Sequence, residues 1–550
     1  MAVITVNKFS GVSPMTPPRY LADQAAQVAL NCPVWLGSLQ SIRGTAVTAL
    51  NTDGSFSKSG DMKSIYRFGD SSSSELQYWF QWTTEVDVVK GFINADTTER
   101  TYFTDPNGTG RPKVTNSTLA LTGATTQYPV SWYDIGVPKP TTNLTAALSG
   151  TADAGTTAET RVYTYTYVNS FDEESAPFSA TDMSASTVDR YPGQSVVLTL
   201  PTAPTGNYDV TKKRIYRSAT GAANSSYFFV DEVPVATTSY TDTKDGDELN
   251  EEIPSLTWEQ APEGLKGLVG LSNGVLVGFK GNDVYFSEPY RPFAWPIQYM
   301  QTVGYPIVGL GVIDTTVVVL TQGRPYFLQG SHPDSMVMVE ADVNQSCISK
   351  RSIQTINGAV YYASPDGLVA LAPSGSAVVT QSMFDKYTWQ ALNPSELVGL
   401  KYENQYVGFF NTSSGNGGFI LDTIAKTWNF HNMYATGGYN DLKNDSLYVI
   451  VGNKLHKWDS GTALSYIWKS KKFTMPEPKS FACYRVEAEA YPVTFKFYKD
   501  GTLAHTESVT DGRLKRLPSG LATTFEFQLE GNVEVYNVQI AQTPMEVNAG

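Results

Sequence analysis

One unit recurs through the second half of the sequence: an apolar strand, a Gly or Asn turn, and a second strand ending in an aromatic or aliphatic pair. It occurs as NGVLVGFKGNDVYF (273–286), TTVVVLTQGRPYF (315–327), NGAVYYASPDGLVAL (357–371), NQYVGFFNTSSGNGGFILD (404–422) and DSLYVIVGNKLHKWD (445–459). Tyr285 aligns with Tyr326 at a step of 41 residues, and Asn357 aligns with Asn404 at a step of 47. Paired strands repeating every roughly 40 to 50 residues are the signature of a β-propeller, whose blades bury their faces only against one another. A sixth copy is read upstream, in LQYWFQWTTEVDVVKGFINADTTERTYFTD (76–105). The expectation is an all-β chain with an irregular propeller of five or six blades, without the Trp-Asp dipeptide at a fixed place.

The remaining segments divide around this repeat. Residues 1–45 form an N-terminal arm, 46–138 the first part of the propeller, 256–465 its main part, and 466–550 a C-terminal β-sandwich of longer alternating strands. Between the two propeller parts, 139–255 opens on the proline hinge VPKPTTN and closes on the acidic, turn-rich TKDGDELNEEIPS. Inside it Val162, Tyr163, Tyr165 and Tyr167 interleave with threonines, and short strands follow at sandwich spacing. This segment resembles a fibronectin type III-like module, as a spacer or as a binding unit. Helical periodicity is confined to 23–31, with Asp23 as a cap, and 382–392.

A formal charge of −13 and a pI near 4.9 argue against a surface that grips nucleic-acid phosphates. The basic runs KKRIYR (212–217) and KSKK (469–472) read as solvated strand faces. Cys32, Cys347 and Cys483 match no metal spacing and read as buried thiols of a protein folded in a reducing compartment. The first residues lack the pattern of a signal peptide, and no apolar run reaches about 18 residues, so neither secretion by that route nor membrane spanning is expected.

Catalytic patterns are absent from the sequence. His332, His431, His456 and His505 lie outside any metal or triad spacing and read as surface or blade-edge residues. There is no nucleophile elbow, P-loop or dinucleotide fingerprint, and SGNGGF (414–419) reads as a hairpin loop. SPDGLVAL (364–371) matches part of the Ser-x-Asp-x-Gly turn of sialidase propellers, without its terminal aromatic. No enzymatic activity, cofactor or metal is expected.

The stretch GVSPMTPPRYLADQAAQVALNCPVWLGSLQSIRG (11–44) carries a resemblance. Through Gly11, Ser13, Pro14, Arg19, Tyr20, Asp23, Gln24, Asn31, Leu39, Arg43 and Gly44 it resembles the start of the tail nozzle, or tail tubular protein B, family of short-tailed bacteriophages. The order of parts and an ending built on Leu517, Pro518, Phe527, Leu529, Gly531 and Ile540 are also similar to that family.

The resemblance implies a structural virion protein, made in the host bacterial cytoplasm and assembled as a hexameric ring in the phage tail. Such a ring contacts a tail adaptor protein, tail fibres or spikes, a plug or needle protein and the host outer surface. Phage DNA passes through without sequence-specific binding, and an acidic wall would let it slide. Pro14, with Pro17 and Pro18, holds the arm extended, and Arg19, Tyr20, Trp35 and Arg43 are residue types that anchor interfaces. The arm is expected to contact a neighbouring subunit or the C-terminal sandwich; packing only within its own chain is the alternative. A carbohydrate-binding receptor-recognition tail protein and a propeller-type polysaccharide hydrolase are the competing functions.

Overall fold

The computed structural model describes residues 3–34, 36–48, 55–69, 78–93, 96–123, 127–180, 182–219 and 226–547. These residues are nearly all β, in many separate sheets of mainly antiparallel strands. Three N-terminal strands are labelled β1 (Val3–Val6), β2 (Ala26–Leu30) and β3 (Ala46–Val47).

Each of the five repeats of the second half supplies the two middle strands of a meander. Sheet C orders Lys266–Gly270, Leu276–Lys280, Asp283–Phe286 and Gln301–Thr302; sheet D orders Ile307–Ile313, Thr316–Thr321, Tyr326–Gln329 and Val337–Glu340. Sheet E orders Gln354–Ile356, Ala359–Ser364, Gly367–Ala372 and Gly375–Val378; sheet F orders Val398–Tyr402, Gln405–Thr412, Gly415–Asp422 and Trp428–His431. Sheet G orders Gly438–Asp441, Ser446–Val451 and Lys454–Lys457, and β3 from the far N-terminus completes it. Local chemistry sets the hairpins. In sheet E, Asn357 and Gly358 both take positive φ (49° and 76°), the two-residue turn whose twist matches its flanking strands.

The upstream copy resolves into two sheets, so these residues and the five repeats together supply seven. Ser64–Phe68 and Tyr78–Trp82 pair only with each other as sheet A. Val88–Lys90, Thr101–Phe103, Lys113–Thr115 and Tyr133–Asp134 form sheet B. The segment 76–105 thus spans the outer strand of one sheet and the first two strands of the next.

The seven sheets follow one another in a closed cycle of contacts. The first strands of B, C, D, E, F, G and A touch in that order, and the Val86 N–H donates to Ser64 Oγ at 2.9 Å between B and A. Every adjacent pair shares an apolar cluster. In Thr316–Thr321, Val317 and Val319 enter the cluster shared with sheet C, whereas Val318 and Leu320 enter that shared with sheet E. A strand covered on both faces carries an unbroken apolar run rather than an alternating one.

The segment between sheets B and C forms its own pair of sheets. One orders Thr145–Ser149, Ser195–Thr199 and Ser239–Asp242; the other orders Thr187–Arg190, Glu159–Asn169, Val210–Ser218 and Tyr227–Pro234. Tyr163, Tyr165, Val196, Leu198, Ile215 and Val230 fill the core between them. The run at 212–217 is not a solvated face, because Lys213 and Arg217 are fully buried. Lys213 Nζ donates to the Thr237 carbonyl at 2.8 Å, and Arg217 pairs with the equally buried Asp242 at 2.6 Å. Buried cations are tolerated where partners of this kind replace their water.

The N-terminal arm stitches the molecule together. β1 pairs antiparallel with Val535–Ala541, at the edge of a sheet that continues through Cys483–Ala488 to Lys515–Arg516. β2 lies between sheet F and the C-terminal strands, parallel to Trp428–His431 and antiparallel to Tyr466–Ser470. It therefore fuses sheet F with Ala522–Gly531, Val493–Lys499 and Thr502–Val509.

The helix expected over 23–31 is thus a strand. Buried Ala26 and Ala29 present little bulk to the neighbouring sheet, and Gln27 Nε2 donates to the Ser470 carbonyl at 2.7 Å and to Glu526 Oε1 at 2.9 Å. Partners on both flanks override the local helix preference. The second expected helix survives as Lys386–Gln390, where the Asp385 carboxylate accepts the N–H groups of Tyr387 and Thr388.

Candidate functional site

The first strands of the seven sheets surround an axis, and the charged residues at their entrances converge there. Two segments supply most of them. Thr84–Asp87 leads into sheet B, and the 3-10 turn Lys350–Ser352 leads into sheet E, three places further round the cycle. Lys350 Nζ lies 2.8 Å from Asp87 Oδ2, which also accepts the Gly267 N–H at 3.0 Å from sheet C. Arg351 Nε lies 3.7 Å from Glu85 Oε1. Its Nη2 donates to the Lys63 carbonyl at 3.3 Å and to the Thr436 carbonyl, reaching the approaches to sheets A and G. Burial lowers the pKa of the Arg351 guanidinium from its ordinary value.

These pairs divide the axial space into compartments. One cavity of about 210 Å³ lies among sheets A, B, E, F and G, against Lys63, Glu85, Lys350 and Arg351. Another of about 720 Å³ lies among B, C and D, against Asp105, Lys266 and Phe279. Ion pairs and backbone bonds thus cross the axis within one chain. Glu85 and Asp87 each face a cation, so the centre offers paired charges.

His332 pairs with Asp334 at 2.7 Å, His456 meets Thr45 Oγ1 at 2.9 Å, and His505 meets Glu507 at 3.2 Å. His431 is not at a surface or edge as expected. It is buried between Phe409 and Trp458, because sheets F and G close over its face of Trp428–His431. Burial pushes its pKa down to about 3. Among the described residues no three His, Cys, Asp or Glu side chains are placed to hold a metal ion. The three cysteines are buried and unpaired, with burial raising each thiol pKa. In the partial sialidase turn, Ser364 Oγ donates to the Gly367 carbonyl at 2.8 Å, and Asp366 is held by Gln345 and Lys386.

Of the expected interface residues, Pro14, Arg19, Tyr20 and Arg43 are all exposed, and Trp35 lies outside the described residues. Tyr20 stands at the end of a turn closed by its own N–H to the Pro17 carbonyl, while Arg43 Nε donates to the Gly461 carbonyl at 3.2 Å. The arm contacts the C-terminal strands of its own chain. The axial charges Glu85, Asp87, Lys350 and Arg351 were not singled out from the sequence. Their only local signal is a pair of charges just ahead of a sheet's first strand.

No family model matches the sequence, and no curated protein matches it. Solved structures similar to it include the N-terminal part of BBS1 bound to ARL6, with 10% identity over 48% of this chain and 86% of that one, at a TM-score of 0.24. PorZ of Porphyromonas gingivalis has 11% identity over 87% of this chain and 69% of that one, at 0.26. An exo-β-1,3-galactanase of Phanerochaete chrysosporium has 9% identity over 72% of this chain and all of that one, at 0.21. Likeness at this level carries no argument about function.

Proposed function

We propose that this chain is a structural subunit of the tail nozzle of a short-tailed bacteriophage, without enzymatic activity. In this reading the seven sheets are the blades of a propeller, the segment between B and C is an inserted fibronectin type III-like sandwich, and the C-terminal strands form a second sandwich. The observation that carries it is the distribution of the first 47 residues. They occupy one strand in the C-terminal unit, one at its junction with sheet F, and one in sheet G. Such weaving gives the junction of propeller and C-terminal sandwich no flexible linker, which suits a load-bearing ring more than a catalyst.

The axis supports the same reading from another side. Ion pairs span it, so DNA would pass between subunits and not through any one propeller. A head-to-tail arrangement of six copies would enclose such a channel. Adaptor, fibres or spikes, and a plug protein would contact its outer and end surfaces. Antibody against the purified chain, imaged on whole virions, tests this: labelling at the tail is expected, and labelling of the capsid alone or of no particle would overturn it.

A further inference from the structure

Five of the seven sheets end in an outer strand that is covered, buried or only two residues long. β2 covers the outer strand of sheet F, and β3 is itself the outer strand of sheet G. Sheets B and C end in two-residue strands. Sheet E ends in the small residues of Gly375–Val378, and the outer strand of sheet A is largely buried. Sheet D differs. Its outer strand Val337–Glu340 is exposed at all four residues, with Val337 61%, Met338 37% and Val339 47% accessible. Ile297 and Met300, in the neighbouring turn of sheet C, extend the apolar surface, and Gln301 Nε2 binds the Met336 carbonyl at 2.9 Å to hold the two together. The edge has no proline, lysine or bulge to discourage pairing.

Charge indicates what covers it. Asp334, Glu340 and Asp342 flank the strand, with Arg324 the neighbouring cation, 3.2 Å from Glu340. A short edge of opposite character lies among the C-terminal strands. Lys515–Arg516 is the outer strand of the C-terminal sheet that contains β1, preceded by exposed Arg513 and Leu514. An acidic-flanked apolar edge and a basic edge bearing leucine are complementary, and they lie on different parts of the molecule.

We infer that Val337–Glu340 of one copy pairs edge to edge with the segment 513–516 of a second copy, a head-to-tail contact in which one subunit's sheet D is extended by the next subunit's C-terminal sheet. Backbone hydrogen bonds would supply pairing, and the apolar and charged side chains would supply selectivity. This deepens the nozzle reading by naming the surfaces that join neighbouring subunits.

The test is analytical ultracentrifugation of the full chain across a concentration series. Four samples are compared: wild type, Val337→Lys with Val339→Lys, Arg513→Glu with Arg516→Glu, and an equal mixture of the two variants. Wild type is expected to self-associate. Each variant is expected to associate about tenfold or more weakly while keeping the wild-type circular dichroism spectrum. The mixture is expected to recover a pair and nothing larger, because each mixed pair has one intact edge of each kind. A wild type that stays monomeric, variants that associate as wild type does, or a mixture that stays monomeric would overturn it. Failure here with tail labelling intact would leave the nozzle reading standing. Head-to-tail pairing without tail labelling would remove the nozzle reading alone.

Discussion

Lys350 Nζ and Asp87 Oδ2 meet at 2.8 Å across the axis of the molecule, joining residues 263 positions apart. Both side chains are about one-quarter exposed, so solvent screens the pair and its net worth is modest. Asp87→Ala also strips the Gly267 N–H of its acceptor. The variant is expected to lose about 1 to 2 kcal/mol in chemical denaturation. A cycle with Lys350→Ala should give a coupling of about 0.5 kcal/mol or more, and strict additivity would mean that the contact is not formed.

Gly11 lies against the backbone of sheet F. A Cβ there would lie 2.1 Å from the Trp428 carbonyl oxygen, which is fixed backbone, and the adjacent Val12 N–H donates to that same oxygen at 3.0 Å. Gly11→Ala is expected to cost about 3 kcal/mol or more, since neither wall can retreat without breaking β2 from its neighbours. Gly246→Ala, where a Cβ meets nothing within 4 Å, serves as the control and should stay within about 0.5 kcal/mol of wild type. Thermal unfolding of the two variants side by side checks this.

Acid should destabilise the junction of sheets F and G. His431 has its pKa pushed by burial from 6.5 to about 3, so the unfolded chain takes up a proton that the folded chain refuses. Its contribution is intact above pH 6.5 and is lost as pH falls towards about 3, amounting to about 4 kcal/mol at the acid end. His431→Gln should flatten this acid limb in stability measured against pH. An unchanged slope would show that other groups govern it.

Glu173 predicts the opposite slope. Its carboxyl is buried where the inserted unit meets sheet B, 2.9 Å from Asn169 Nδ2 and 3.7 Å from Arg100, whose guanidinium lies over the Phe171 ring. Burial raises its pKa from 4.5 to about 7, so the folded state holds the proton longer than the unfolded one. The stability it contributes is full below pH 4.5 and is lost as pH rises through about 7. Glu173→Gln is therefore expected to stabilise the protein above pH 7 by about 3 kcal/mol, and the gain should shrink towards pH 4.5 in parallel thermal melts.

What the sequence disclosed follows the range of the interactions. The repeats were legible because each is a hairpin closed by local turn chemistry, as where Ser364 Oγ donates to the Gly367 carbonyl in sheet E. The upstream pair was merged because Tyr78–Trp82 and Thr101–Phe103 carry similar aromatic runs and only their partners distinguish them. The identity of β2 was not legible, since Ala26 and Ala29 suit a helix until strands about 400 residues or more away flank them. The axial pairs Lys350–Asp87 and Arg351–Glu85 were hidden for the same reason, as were burial of His431 and Lys213. The arm's prolines and exposed Tyr20 were visible at once, yet its strongest contacts come from β1 and β2, which have no unusual composition.

The most direct test of the central claim is the mass of the purified 60.1-kDa chain in solution, with negative-stain images taken beside those of the intact tail. The account predicts a ring of six copies, or a smaller species that appears as a six-fold layer on the tail axis. A chain that stays monomeric, or a discrete trimer, with no six-fold layer in the tail, would contradict it.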